Sequence, residues 1–144
     1  MPVNVFAMGG IPQEKSPQLE PIPLTLRLFT DKDVYASGEN IRMTIIASNE
    51  TTEKINANYS SGQAFDFRVF DEEGEEIWVW SYNKAFTAAL RPFRLGVGEP
   101  FEVFYKWDQK DNLGEQLSSG RYYIEGEIAL FPRLRTNRLP IVIK

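Results

Sequence analysis

Residues 60–89 hold two runs of alternating apolar and polar side chains joined by a short acidic turn. Such alternation is typical of β-strands that bury one face. The turn, Asp71-Glu72-Glu73-Gly74-Glu75, fits a three-residue hairpin loop with glycine in the left-handed conformation. The segment therefore predicts a β-hairpin and directs the chain towards an all-β fold.

This turn geometry sets the register of the hairpin. Val69 would face Ile77 and Phe67 would face Val79, which gives one apolar face for the core. The other face would carry Asp66, Arg68, Phe70, Trp78, Trp80 and Tyr82. Arg68 would then lie opposite Trp78, where a cation–π contact is worth about 0.5–1 kcal/mol.

A solvent face with two tryptophans needs an explanation, and three remain open. Residues 83–93 fold back and cover it, or the face is a platform for a partner or a sugar. Alternatively, the register is wrong, because a slip of one residue would move Trp78 and Trp80 into the core.

The same alternation recurs elsewhere in the chain. It predicts strands at residues 24–29, 41–49, 101–107, 122–130 and 139–143. About seven to eight short strands separated by turns predict an immunoglobulin-like antiparallel β-sandwich. Tyr122 stands where such folds place a tyrosine corner. One helical turn is expected within residues 83–90 and no other helix.

The length of 144 residues fits one folded domain. Residues 1–23 carry five prolines and little periodicity, so an extended N-terminal tail is expected there. Residues 24–144 are then expected to form a single sandwich domain.

Composition limits the chemistry. With no cysteine and no histidine, the chain has no disulfide, no thiolate metal site and no Ser-His or Cys-His nucleophile. The net charge of −4 argues against nucleic acid as a partner. No apolar run approaches the roughly 18 residues of a membrane span. The poor signal-peptide character of the N-terminus predicts a cytoplasmic protein, or an extracytoplasmic one if a leader was removed.

Two acidic groups are candidate metal sites, namely residues 71–76 and the set Asp108, Asp111 and Asn112. Ordinary solvated turns explain both, so no metal and no cofactor are expected. Arg133, Arg135 and Arg138 are interpreted as a solvated basic loop or a contact for an acidic partner. We expect no enzymatic activity.

The chain resembles the BsuPI-type intracellular proteinase inhibitors over residues 24–130. The motifs that carry the likeness are Ser61-Gly62-Gln63, Phe65-Asp66-Phe67, Trp78-Val79-Trp80-Ser81, Phe86-Thr87, Trp107-Asp108 with Gly114, Gly98-Glu99 and Gly120-Arg121-Tyr122. Val97 and Ser119 stand where the family usually has proline. The resemblance implies a small cytosolic protein that binds and inhibits an intracellular serine proteinase of subtilisin type. It identifies no reactive residue.

Inhibition by such a sandwich requires a protruding, rigid loop. Residues 49–63, 82–94 and 109–120 are candidates, and 82–94 is favoured because it follows the aromatic strand. The residues expected to contact a partner are Arg68, Trp78, Trp80, Tyr82, Lys84, Leu90, Arg91 and Phe93. The alternative is a noninhibitory immunoglobulin-like module that binds a protein or cell-wall partner through the Trp78/Trp80 face.

Overall fold

The computed structural model describes residues 20–144, so residues 1–19 of the expected tail lie outside the described part. Within residues 20–144 there are strands and turns but no helix. The strands are β1 (Thr25–Thr30), β2 (Val34–Tyr35), β3 (Ile41–Ser48), β4 (Ile55–Tyr59), β5 (Phe65–Phe70), β6 (Glu76–Val79), β7 (Arg91–Leu95), β8 (Pro100–Trp107), β9 (Gly120–Ile128), β10 (Leu134–Arg135) and β11 (Leu139–Ile143).

The strands form an immunoglobulin-like β-sandwich. The largest sheet has the order β2-β11-β9-β5-β6, and β10 also pairs with β9. A three-stranded sheet has the order β1-β3-β8, and β4 pairs with β7. The pairs are antiparallel except that β11 runs parallel to β2. The expected fold class is confirmed.

The core lies between the largest sheet and the three-stranded sheet. Strand β3 alternates as its sequence predicts, with Ile41, Met43 and Ile45 fully buried. At Gly126 the two sheets come very close, since an added Cβ atom would lie 2.7 Å from the Ile45 side chain. The tyrosine corner is confirmed, because the Tyr122 hydroxyl donates to the Ser118 carbonyl over 2.8 Å.

The expected hairpin register is wrong beyond the turn. Phe70 pairs with Glu76 as the turn geometry requires, but Val69 pairs with Trp78 and not with Ile77. A β-bulge leaves Ile77 as an extra residue, which shifts every later side chain of β6 by one position. The shift turns Trp78 into the core, where it is 8% exposed.

The helical turn expected within residues 83–90 is also wrong. Backbone N–H groups of Tyr82 and Lys84 donate to the carbonyls of Val79 and Ser81, which makes two consecutive turns. Asn83 then adopts φ +59°, a left-handed conformation that does not continue a right-handed helix. The chain leaves these turns as an open loop.

Candidate functional site

The most exposed segment of the described chain joins β6 to β7. Every residue from 82 to 92 is exposed, which is the longest such run within residues 20–144. We call this segment the 82–92 loop; its last two residues, Arg91 and Pro92, are also the first two of β7. It covers most of the favoured candidate at residues 82–94, whereas Phe93 is buried in strand β7.

The buried carboxylate of Asp66 anchors the start of the loop. Its Oδ1 accepts a hydrogen bond from the Ser81 backbone N–H over 3.1 Å, and its Oδ2 accepts one from the Ser81 hydroxyl over 2.6 Å. Gln63 donates to the same Oδ2 over 3.2 Å. Asp66 is only 1% exposed. Hydrogen bonds to a buried charged group are among the stronger ones, so the position of Ser81 is well defined.

Trp80 supports the middle of the loop. Its ring lies between Phe65 and Phe86, at centroid distances of 4.5 and 6.1 Å. Lys84 folds over the same ring, with Nζ 4.7 Å from the centroid, and donates to the Trp80 carbonyl over 2.8 Å. Trp80 lies opposite the core residue Phe67 and also packs against Tyr105, so the one-residue slip turns this ring towards the core as well, and Phe86 and Lys84 cover its outer part.

Gly62 anchors the end of the loop through both of its backbone polar groups. Its N–H donates to the Thr87 carbonyl over 2.9 Å, and its carbonyl accepts from Arg91 Nη2 over 3.2 Å. The Arg91 guanidinium also stacks on Tyr59, 4.3 Å from the ring centroid. A Cβ atom at residue 62 would lie 2.5 Å from Thr87 Oγ1 and 3.1 Å from the Thr87 backbone nitrogen, so any other residue would push Thr87 away.

The structure brings together five of the eight residues expected to contact a partner. These are Trp80, Tyr82, Lys84, Leu90 and Arg91, on the loop or directly beneath it. Tyr82 and Leu90 are 52% and 66% exposed. Their partner contacts remain a prediction.

The other three lie elsewhere. Trp78 and Phe93 are in the core, 8% and 5% exposed. Arg68 does not contact Trp78 but pairs with Glu127 over 2.7 Å and Glu76 over 3.2 Å. The expected cation–π contact is therefore wrong, because the bulge places Val79 and not Trp78 opposite Arg68.

Glu127 is the centre of an ion-pair cluster on the outer surface of the largest sheet. Its buried carboxylate accepts hydrogen bonds from Arg68, Arg133 and Arg135, while Arg138 pairs with Glu125 over 3.3 Å. The basic stretch is thus held against its own sheet and is not a free loop.

Burial by itself would raise the pKa of Glu127, but the hydrogen bonds from Arg68 and Arg133 outweigh it and hold that pKa below its ordinary value.

The lowered pKa of Glu127 predicts a pH-dependent contribution to stability. Because the folded pKa lies below the unfolded one, the contribution is complete above about pH 4.3 and is lost as pH falls through the folded pKa. Urea unfolding of the wild type and Glu127→Gln between pH 7 and pH 3 should therefore show their difference in unfolding free energy shrinking towards acid. A difference that stays constant with pH would contradict the ionised state of Glu127.

The two candidate metal sites, residues 71–76 and the set around Asp108 and Asp111, contain acidic side chains that stabilise turns. Asp71 Oδ1 accepts from the N–H groups of Glu73 and Glu75. Asp111 Oδ1 accepts in the same way from Leu113 and Glu115. Among residues 20–144, no group of three or more metal-ligating side chains of the Asp, Glu, His or Cys type comes together.

Asn112 has a role that the sequence did not reveal. Its side-chain Oδ1 accepts from the Val79 N–H over 2.9 Å, and its Nδ2 donates to the Val79 carbonyl over 3.1 Å. The amide thereby pairs with the free edge of β6 just before the loop begins. The anchoring roles of Gly62, Gln63 and Asp66 are likewise not evident from the sequence motifs that contain them.

A model of the BsuPI family, described as intracellular proteinase inhibitor, matches residues 28–131. No curated protein matches the chain in sequence. None of the residues that the structure describes forms a helix long and apolar enough to cross a membrane.

Two solved structures of similar fold are parts of much larger proteins. The alkylpurine DNA glycosylase AlkC of Pseudomonas fluorescens matches with a TM-score of 0.51 and 12% identity over 85% of this chain and 31% of that one. Latent PorU of Porphyromonas gingivalis matches with a TM-score of 0.50 and 13% identity over 84% of this chain and 9% of that one. The chain thus spans less than a third of either protein, and the likeness concerns the fold alone.

Proposed function

Since the chain belongs to the BsuPI family of intracellular proteinase inhibitors, we propose that it blocks the active site of a subtilisin-type serine proteinase with the 82–92 loop. The family consists of inhibitors, so the protein is not expected to be an enzyme. What we propose is the type of target proteinase and the use of this loop to block it. The observation that supports them is an exposed loop fixed at its start, middle and end.

Rigid anchoring is what a blocking loop requires. An active-site cleft is concave and accepts a protruding segment. A segment already held in its bound conformation loses little conformational entropy on binding, which strengthens association. The Asp66, Trp80 and Gly62 contacts hold the 82–92 loop in this way. These anchors belong to the motifs through which the chain resembles its family.

The alternative, a noninhibitory module that binds through a Trp78/Trp80 face, requires both tryptophans to be exposed. Trp78 is in the core, and Trp80 is partly covered by Phe65, Phe86 and Lys84. A noninhibitory module would have to use the 82–92 loop itself. The two functions are then separated by whether binding of the loop stops a proteinase.

The test is a titration of a bacterial intracellular subtilisin-type proteinase with the purified protein, following residual activity on a small peptide substrate. We expect a stoichiometric loss of activity. Ala89→Arg, which adds bulk to the exposed loop, should weaken inhibition at least about tenfold, or about 1.4 kcal/mol. The matched change Ser119→Arg, at an exposed position of the 109–120 segment, should have little effect. Full activity at micromolar excess of the protein would refute the proposal for that enzyme.

A further inference from the structure

Between two anchors on the same residue, the loop presents a short segment. Thr87 and Arg91 both bind the backbone of Gly62. The Thr87 carbonyl accepts from the Gly62 N–H, and the Arg91 side chain donates to the Gly62 carbonyl. Only Ala88, Ala89 and Leu90 lie between them, and all three are exposed. Both ends of this tripeptide are therefore fixed relative to the sandwich.

Leu90 is the side chain of this segment that can fill a pocket. It is 66% exposed, while Ala88 and Ala89 offer only a methyl group each. Phe86, which precedes this tripeptide, is already packed against Trp80. Leu90 is thus a large apolar side chain presented to solvent immediately before an anchored residue.

Both cations of the loop are already engaged within the protein. Lys84 binds the carbonyl and the ring of Trp80, and Arg91 binds the Gly62 carbonyl and the ring of Tyr59. The peptide bond after Arg91 joins it to Pro92, a tertiary amide without an N–H group. Serine proteinases cleave such bonds poorly, so Arg91 is a poor candidate for the residue before the attacked bond.

We infer that Leu90 enters the primary specificity pocket of the target, and that this pocket accepts a large apolar side chain and not a cation. The inference rests on the proposed function and adds the chemical class of proteinase that the loop recognises. The bond presented to the catalytic serine is then the one between Leu90 and Arg91.

The anchoring of Arg91 explains why this presentation inhibits. Attack by the serine oxygen on the Leu90 carbonyl carbon forms an ester and breaks the C–N bond, and the serine proton passes through the enzyme's base to the Arg91 nitrogen. Arg91 stays bound to Gly62 and Tyr59, so its new amino group remains beside the ester. High effective concentration then favours the reverse reaction, which restores the peptide bond and the free serine hydroxyl.

The experiment compares inhibition constants of the wild type, Leu90→Ala and Leu90→Lys against two enzymes. One is a subtilisin-type proteinase that cleaves after large apolar residues, and the other a trypsin-type proteinase that cleaves after lysine. For the first enzyme, Leu90→Ala should raise the inhibition constant at least about 30-fold. Leu90→Lys should weaken inhibition of the first enzyme and strengthen inhibition of the second. Leu113→Ala, the same change at a leucine that is 80% exposed in another loop, should change neither by more than about threefold.

A second variant tests the anchor. Gly62→Ala places a Cβ atom 2.5 Å from Thr87 Oγ1 and 3.1 Å from the Thr87 backbone nitrogen, which pushes the loop backbone away from residue 62 and weakens the anchor. This variant should be cleaved as a substrate between Leu90 and Arg91, as mass spectrometry would show. Circular dichroism and the thermal midpoint should show that the Leu90 variants remain folded, because Leu90 is exposed.

The two proposals fail in different ways. If the wild type inhibits but Leu90→Ala and Leu90→Lys keep its inhibition constant within about threefold, the inference about Leu90 is wrong and the blocking function stands. If the wild type leaves both enzymes fully active, both proposals are refuted for enzymes of these classes.

Discussion

Replacing Asp66 by alanine should destabilise the folded protein by about 3–5 kcal/mol, a cost typical of removing a hydrogen-bonded buried charge. The carboxylate is buried and accepts from Ser81, Gln63 and the Phe67 N–H. Its loss leaves these donors unpaired and removes a neighbour of the Arg68 guanidinium. Urea unfolding at pH 7, followed by tryptophan fluorescence, measures the change.

Two further variants make this prediction specific. Asp66→Asn keeps one acceptor oxygen but turns an amide group towards a donor, so an intermediate loss is expected. Asp71→Ala removes the two hydrogen bonds that the Asp71 side chain accepts from backbone N–H groups of an exposed turn, and should cost about 1 kcal/mol. The proposed anchoring role of Asp66 would be excluded by an Asp66→Ala variant no less stable than Asp71→Ala.

Trp78→Ala is expected to cost about 3–5 kcal/mol, the range for removing a large aromatic side chain from a core. The indole is stacked on Tyr105 and lies close to Trp107, at centroid distances of 5.8 and 5.3 Å. Aromatic pairs of this kind add to the burial term. Equilibrium unfolding in urea at neutral pH gives the value.

Trp80→Ala is the matched comparison for Trp78→Ala. Trp80 is only partly buried, so its removal should cost less stability, about 1–3 kcal/mol, while weakening inhibition through loss of the contact with Phe86. Equal and small losses of stability in both variants would indicate that both rings lie on the surface. That result would favour the hairpin register expected from the turn alone.

Alternation in the sequence was sufficient to identify the long strands but not the exact pairing. Strand β3 could be predicted because its apolar residues recur at every second position. The bulge at Ile77 could not, since Ile77 and Trp78 are both apolar and either could face the core. The sequence predicts a loop where strand β7 lies, because Arg91, Pro92 and Arg94 conceal the alternation of its two buried residues, Phe93 and Leu95.

The loop itself was predictable, whereas its anchors were not. The position of residues 82–94 directly after an aromatic strand predicts a projecting segment there. The contact between Gly62 and Thr87 depends on how β4 and β7 pair, which no local pattern reports. The ion pairs of Arg133 and Arg135 with Glu127 likewise depend on the pairing of β10 with β9.

The attachment of Thr87 and Arg91 to one glycine separates the determinants of folding from those of recognition. The anchoring contacts use backbone atoms of residues 62 and 87 and a side chain at 91, all outside the tripeptide at 88–90. Those three positions can therefore vary without altering the scaffold that holds them. A combinatorial library restricted to residues 88–90 should consequently yield folded proteins with different binding preferences, which makes this sandwich a suitable frame for displaying short peptides.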